Sequence, residues 1–268
     1  MKSEGEAKPE SRTIVAAGAV LALVVALAFW PVVSGARSFL QLDLRYEHVP
    51  IWHVVQQALR NGDSPWWIDG QYCGNPLLFT QEAPLFYPLT VPFLLSGAPA
   101  HRASDAFSLF HFWLAGFAAY LLLRDLGVDT YPALFGGVAW MLCARMVQSA
   151  IWPNAVAVSA LLPFVLLGTF RIARGRRRSG IVVTAISAGL CLLAARPQVI
   201  VGALPLLLAV AATAVYLSRK RWRAIGDFAI AGILAALLGA PSVLPASVLR
   251  PDTSRAEGLA RESRDLSP

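Results

Sequence analysis

The chain has 268 residues, 56% of them hydrophobic and only 15% charged, with a mean hydropathy of +0.57. A soluble domain carries about a quarter charged residues, so this composition excludes one, and several uncharged runs long enough to span a bilayer define an all-α polytopic membrane protein. The formal net charge of +7 does not indicate nucleic-acid binding. Its basic residues gather in short clusters between apolar runs, Arg171 to Arg178 and Arg219 to Arg223, as cytoplasmic loops do under the positive-inside rule.

Residues 1–13 are polar and read as a cytoplasmic tail. Residues 14–34 carry no charge and form the first transmembrane helix. Ser34-Gly35-Ala36 resembles a signal-peptidase site, but the apolar core exceeds the roughly 7–15 residues of a signal peptide, which favours an uncleaved anchor.

Residues 35–103 follow as an extracytoplasmic loop, and its stretch from Gln41 to Pro88 is too polar for lipid. That stretch holds two of the four His, three of the six Tyr and three of the eight Trp, with Asp43, Glu47, Asp63, Asp69 and Glu82. A loop of that length and aromatic content is functional rather than disordered. Within it Val49 precedes Pro50 and is biased away from helix. Pro50 suits a first helical position, and Ile51, Val54, Val55, Ala58 and Leu59 fall on one face of a helix reaching Asn61. Such a helix fits the membrane surface or the protein's own helices equally well. Leu85 to Gly97 is apolar but short and broken by Pro88 and Pro92, which suits a re-entrant or interfacial segment.

Six further spans are predicted at 104–123, 131–150, 154–170, 180–196, 199–217 and 226–248, before a polar extracytoplasmic tail at 249–268. With 85–97 not crossing and the N-terminus inside, the links at 124–130, 171–179 and 218–225 are cytoplasmic, and so are both arginine clusters. Seven spans satisfy the charge rule. The same count puts the polar loop, the Trp152-Pro153-Asn154 turn and the Arg196-Pro197-Gln198 turn on one outer face.

Several residues there could carry chemistry. Asp43, just beyond the first helix, is either a general base above the membrane or a surface charge paired with Arg45. Arg145 and Arg196, near the outer ends of their helices, either snorkel to lipid phosphate or clamp a substrate phosphate. Trp66, Trp67 and Tyr72 fit an interfacial aromatic belt or a stacking surface for a ligand. His48 and His53 are five apart, so they do not share a helix face as a metal pair would. Cys73, Cys143 and Cys191 have neither metal nor disulfide spacing. No zinc, Walker or dinucleotide motif is present. No cofactor is indicated, and a divalent cation stays open.

The order of motifs resembles a known family. After the first helix come Asp43, Tyr46 and Pro50-Ile51-Trp52, then Leu59-Arg60-Asn61-Gly62-Asp63-Ser64-Pro65-Trp66-Trp67, Gly74-Asn75-Pro76 and Phe86-Tyr87-Pro88-Leu89. This is similar to the first outer loop of the YfhO-like family, bacterial membrane glycosyltransferases of the GT-C type. Further on, Arg196-Pro197-Gln198 stands where that family tends to have Gly-His-Pro-Gln, and Leu244-Pro245 with Thr253-Ser254-Arg255 resembles its Leu-Pro followed by Ser-x-Arg. The resemblance runs from about residue 14 to 256.

It implies a GT-C-like bundle in the bacterial inner membrane and a polyprenyl-phosphate sugar donor used on the outer face. The acceptor would be a cell-envelope glycan or polymer. Asp43 matches the acidic base of the first outer loop, and Tyr46, Glu47, Trp66, Trp67, Asp69, Glu82, Tyr87, Arg145, Arg196 and Gln198 are the candidate substrate contacts. Family members are longer, so this chain is expected to be an N-terminal portion. Two other classes compete: a lipid or solute transporter or flippase, and a non-catalytic membrane fragment. Transporters place polar residues near mid-membrane, whereas here those positions are mostly Ala, Leu, Val and Gly.

Overall fold

The computed structural model describes residues 7–70, 74–77, 84–194, 197–218 and 220–249. Its first helix, α1 (Ala7–Ala28), ends where Pro31 removes a backbone donor, and a separate turn of helix, α2 (Trp30–Val33), follows Phe29. The span predicted at 14–34 is therefore broken near its end. A π-turn, Leu44–His48, leads directly into α3 (Val49–Asn61), which stops at Gly62 with a left-handed φ of 77°. Two-residue strands β1 (Trp67–Ile68) and β2 (Asn75–Pro76) pair antiparallel, Trp67 opposite Pro76 and Ile68 opposite Asn75.

The segment predicted to fold back contains only α4 (Val91–Leu94), one turn of helix and far too short to cross a membrane. The bundle then continues through α5 (Ala100–Asp125), α6 (Thr130–Met141), α7 (Ala144–Gln148), a 3-10 turn at Ser149–Ile151, α8 (Pro153–Ala173), α9 (Arg177–Ala194), α10 (Pro197–Leu217) and α11 (Arg221–Leu249). Among the described residues six segments are long and apolar enough to cross a membrane: Ser11–Ala28, Ala100–Asp125, Thr130–Ile151, Pro153–Ala173, Arg177–Ala194 and Arg221–Pro245. The remaining predicted span, 199–217, corresponds to α10, whose described apolar part, Ile200–Tyr216, is shorter.

Val49 departs from expectation. It is helical, at φ −65° and ψ −41°, and donates its N–H to the Leu44 carbonyl. The wider π-turn gives the Pro50 ring the room that a regular helix denies it. The buried face of α3 is also rotated from the predicted one: Ile51, Trp52, Val55 and Gln56 are inside, while Leu59 is exposed. Trp52 meets the Phe107 ring of α5 edge-on at 5.5 Å, and Gln56 donates to the Ala98 carbonyl at 3.2 Å. Of the two placements left open for this helix, it packs on the protein's own bundle.

Helix α5 is central, packed on α6 and α8, with α1 against both α5 and α6. Helix α9 lies along α8 on one side and α11 on the other. Small residues allow these close crossings, as in membrane bundles generally. A Cβ on Gly168 would lie 2.6 Å from the Thr184 backbone nitrogen and 3.0 Å from the Gly180 carbonyl oxygen. Gly168→Ala is accordingly expected to part α8 from α9 at a cost of about 1–2 kcal/mol, measured as a lower midpoint of SDS-induced unfolding.

The two ends of the bundle differ in chemistry. At one end Asp125, terminating α5, accepts hydrogen bonds from Arg171 at 2.9 Å and from Arg176. There too Arg177 donates to Asp227 at 2.6 Å. The links after α5, α8 and α10 thus meet at this arginine-rich end, as the topology argument requires. The polar loop covers the opposite end.

Candidate functional site

The loop end is assembled from the N-terminus of α5 outward. Arg102 donates to the Arg37 carbonyl at 2.8 Å and to the Gly35 carbonyl. Asp105, one turn further on, accepts from the Phe39 backbone and the Ser38 hydroxyl, both at 3.0 Å. These bonds fasten the strand of chain that leaves α2. The N-terminal charges of α5 were not singled out from sequence, although a cation and carboxylate three residues apart at the mouth of an apolar run are a readable signal.

Next along that strand is Leu42, at φ +43° the one non-glycine positive-φ residue described. Such backbone is uncommon for a branched side chain and occurs where surrounding structure enforces it. It turns the chain into Asp43, whose Oδ2 accepts a 2.6 Å hydrogen bond from the indole Nε1 of Trp152. Trp152 occupies the extended residue between the 3-10 turn and α8, at φ −129° and ψ 90°. The bond joins the first outer stretch to the Trp152-Pro153-Asn154 turn. A short bond to a carboxylate is charge-assisted and directional. It holds one oxygen of Asp43 while the residue stays exposed.

The other candidate residues fall into three groups. Tyr46, Glu47 and Arg145 are exposed at this end, and Arg45 lies over the Tyr46 ring at 5.6 Å. Trp66 stacks on Phe86 with centroids 5.0 Å apart, Trp67 is half exposed with its ring against Gly74, and Asp69 is exposed in the turn after β1. Glu82, Arg196 and Tyr72 lie outside the described residues, as does the side chain of Gln198.

Tyr87 is placed differently from the rest. It is fully buried, and its hydroxyl is 2.9 Å from His111 Nε2 while His111 Nδ1 is 2.7 Å from the Phe107 carbonyl. The carbonyl requires the proton on Nδ1, so the tyrosine donates to Nε2. Burial, with Cys191 adding to it, pushes the Tyr87 phenol well above its ordinary range. The ring ties the chain before α4 to α5 and offers nothing to a ligand on the surface.

Beside this site a recess of about 520 Å³ opens between α3 and the start of α5, lined by His53, Gln56, Arg60, Pro99 and His101. Its volume is within the range of small-molecule sites, about 300–1,000 Å³. His53 and Arg60 share the outward face of α3, which the apolar pattern of that helix leaves unspecified. His48, by contrast, is buried, so the two loop histidines part as their spacing predicts. Among the described residues no three His, Cys, Asp or Glu side chains form a metal-binding group.

Fold and site together define a multi-pass α-helical membrane protein with a polar, aromatic layer folded over one end of its bundle. No family model, curated protein or solved structure matches the chain.

Proposed function

We propose that the chain is a GT-C type membrane glycosyltransferase, or the N-terminal portion of one, that moves a sugar from a polyprenyl-phosphate donor to an acceptor at the loop end. In this reading the N-terminus is cytoplasmic and the loop faces outward. Asp43 takes the proton of the acceptor hydroxyl as that oxygen attacks the anomeric carbon. The bond from that carbon to phosphate breaks, and polyprenyl phosphate leaves. Arg145 is assigned to the departing phosphate, for which a guanidinium is well suited.

The observation that carries the reading is the Asp43–Trp152 bond. It fixes an exposed carboxylate just beyond the first membrane helix, with one oxygen held by the indole. The motif order of the loop, similar to that of YfhO-like enzymes, supplies the substrate class. The alternative, transport, is favoured by one feature: α5 buries Ser104, Ser108 and His111, polar groups of the kind that line transport pathways. His111, however, is occupied by Tyr87 and the Phe107 carbonyl.

The test is transfer from a labelled polyprenyl-phosphate sugar by reconstituted protein, comparing wild type with Asp43→Asn. A companion variant, Trp152→Phe, keeps an aromatic side chain but, with the smaller ring, removes the indole N–H that Asp43 accepts. It is expected to lower kcat about tenfold with KM little changed, the cost of a misplaced rather than missing base. Wild-type kcat in Trp152→Phe would deny the indole any positioning role. No transfer and no donor binding by any variant would turn the assignment toward transport.

A further inference from the structure

At the arginine-rich end, a recess of about 510 Å³ lies between the end of α8, the start of α9 and the start of α11. Arg174, Arg177, Lys220 and Arg223 line it, against the single carboxylate of Asp227. Arg177 is committed to Asp227 at 2.6 Å, and Arg174 to the Asp125 carbonyl, also at 2.6 Å. Lys220 and Arg223 have no ion pair among the described residues. Among the described residues, the recess therefore presents two cations without a carboxylate partner over a floor of Ile172 and Ala224.

Neighbouring side chains place it at headgroup depth. Trp222 is 87% exposed and Tyr216 is 67% exposed, with the Arg221 guanidinium 5.0 Å from the Tyr216 ring centre. Aromatics of this exposure beside cations mark the membrane–water boundary. Further along α11, Ile225, Ile230, Ile233 and Leu237 are exposed and apolar, a surface for acyl chains running from the same point.

We propose that this recess binds the phosphate-bearing headgroup of an anionic phospholipid, with Lys220 and Arg223 on the phosphate and the acyl chains along α11. Basic pockets between helices at this depth are suited to such headgroups. The site is independent of the Asp43 chemistry, being at the other end of the bundle.

Native mass spectrometry of the full chain, released from bilayers of equal phosphatidylglycerol and phosphatidylethanolamine, tests it. Phosphatidylglycerol should be retained in preference, and Lys220→Gln with Arg223→Gln should weaken its retention by roughly 30-fold, about fivefold for each cation near the surface. The single Lys220→Gln variant, with its smaller expected loss, serves if the double variant fails to fold. Arg37→Gln with Arg60→Gln, removing two charges at the loop end, should leave retention unchanged. Equal retention of the two lipids, an equal loss in the loop-end control, or displacement of phosphatidylglycerol by millimolar inorganic phosphate would overturn the proposal.

Discussion

Asp43→Asn is expected to lower the rate of sugar transfer about a thousandfold, within the range that a positioned general base contributes. The substitution is chosen to leave structure alone. An asparagine has the same shape, and its carbonyl oxygen can still accept the Trp152 indole N–H that Asp43 Oδ2 accepts at 2.6 Å. What it cannot do is take a proton at neutral pH. The expected pattern is thus a collapse of kcat with donor affinity nearly intact, which distinguishes loss of chemistry from loss of fold. Transfer that survives in Asp43→Asn removes this residue as base. A parallel loss of donor binding would make Asp43 a substrate contact.

The reason that site could be read only in part from sequence is the distance along the chain between its members. Asp43 was visible as a carboxylate beyond an apolar helix. Its partner is 109 residues later, and only the alternation of spans indicated that the two turns share one end of the bundle. No local pattern could show that the indole nitrogen meets the carboxylate. Leu42 is similar: a leucine has no preference for positive φ, so the turn that aims Asp43 is imposed by the Arg102 and Asp105 anchors on the preceding strand.

The length of uncharged apolar runs marked six of the seven spans, and apolar periodicity was a poorer guide to the buried face of a helix. Helix α3 was legible as amphipathic, yet Gln56 is buried and Leu59 exposed. The Trp52 contact with Phe107 and the Gln56 bond to Ala98 turn the helix toward its neighbours, so tertiary packing decides which flank of the apolar face is buried. Tyr87 was grouped with the site through the Phe86-Tyr87-Pro88-Leu89 stretch that carries the family resemblance. Its burial depends on His111, which sits in an otherwise apolar span and accepts its hydrogen bond. A lone histidine in such a span needs a partner, and that need was the available clue.

Loss of Asp125 is expected to weaken the opposite end of the bundle by about 3 kcal/mol, the lower part of the range for breaking a buried ion pair. The carboxylate is 5% exposed and faces Arg171 at 2.9 Å, Arg174 at 3.6 Å, and Arg176. It terminates α5, where the helix dipole disfavours a negative charge, so the guanidinium groups are what make its position favourable. In Asp125→Ala those groups remain close together without their counter-charge. They are partly exposed, from 25% at Arg171 to 48% at Arg176, so water recovers some of the loss, which places the figure at the low end. The sign of the salt effect should also reverse. Added salt weakens the attraction in the wild type and lowers its unfolding midpoint in SDS. In the variant the same salt screens arginine–arginine repulsion and raises the midpoint. An unchanged midpoint, or a salt response of the same sign in both proteins, would mean that the arginine cluster is held by lipid and water rather than by Asp125.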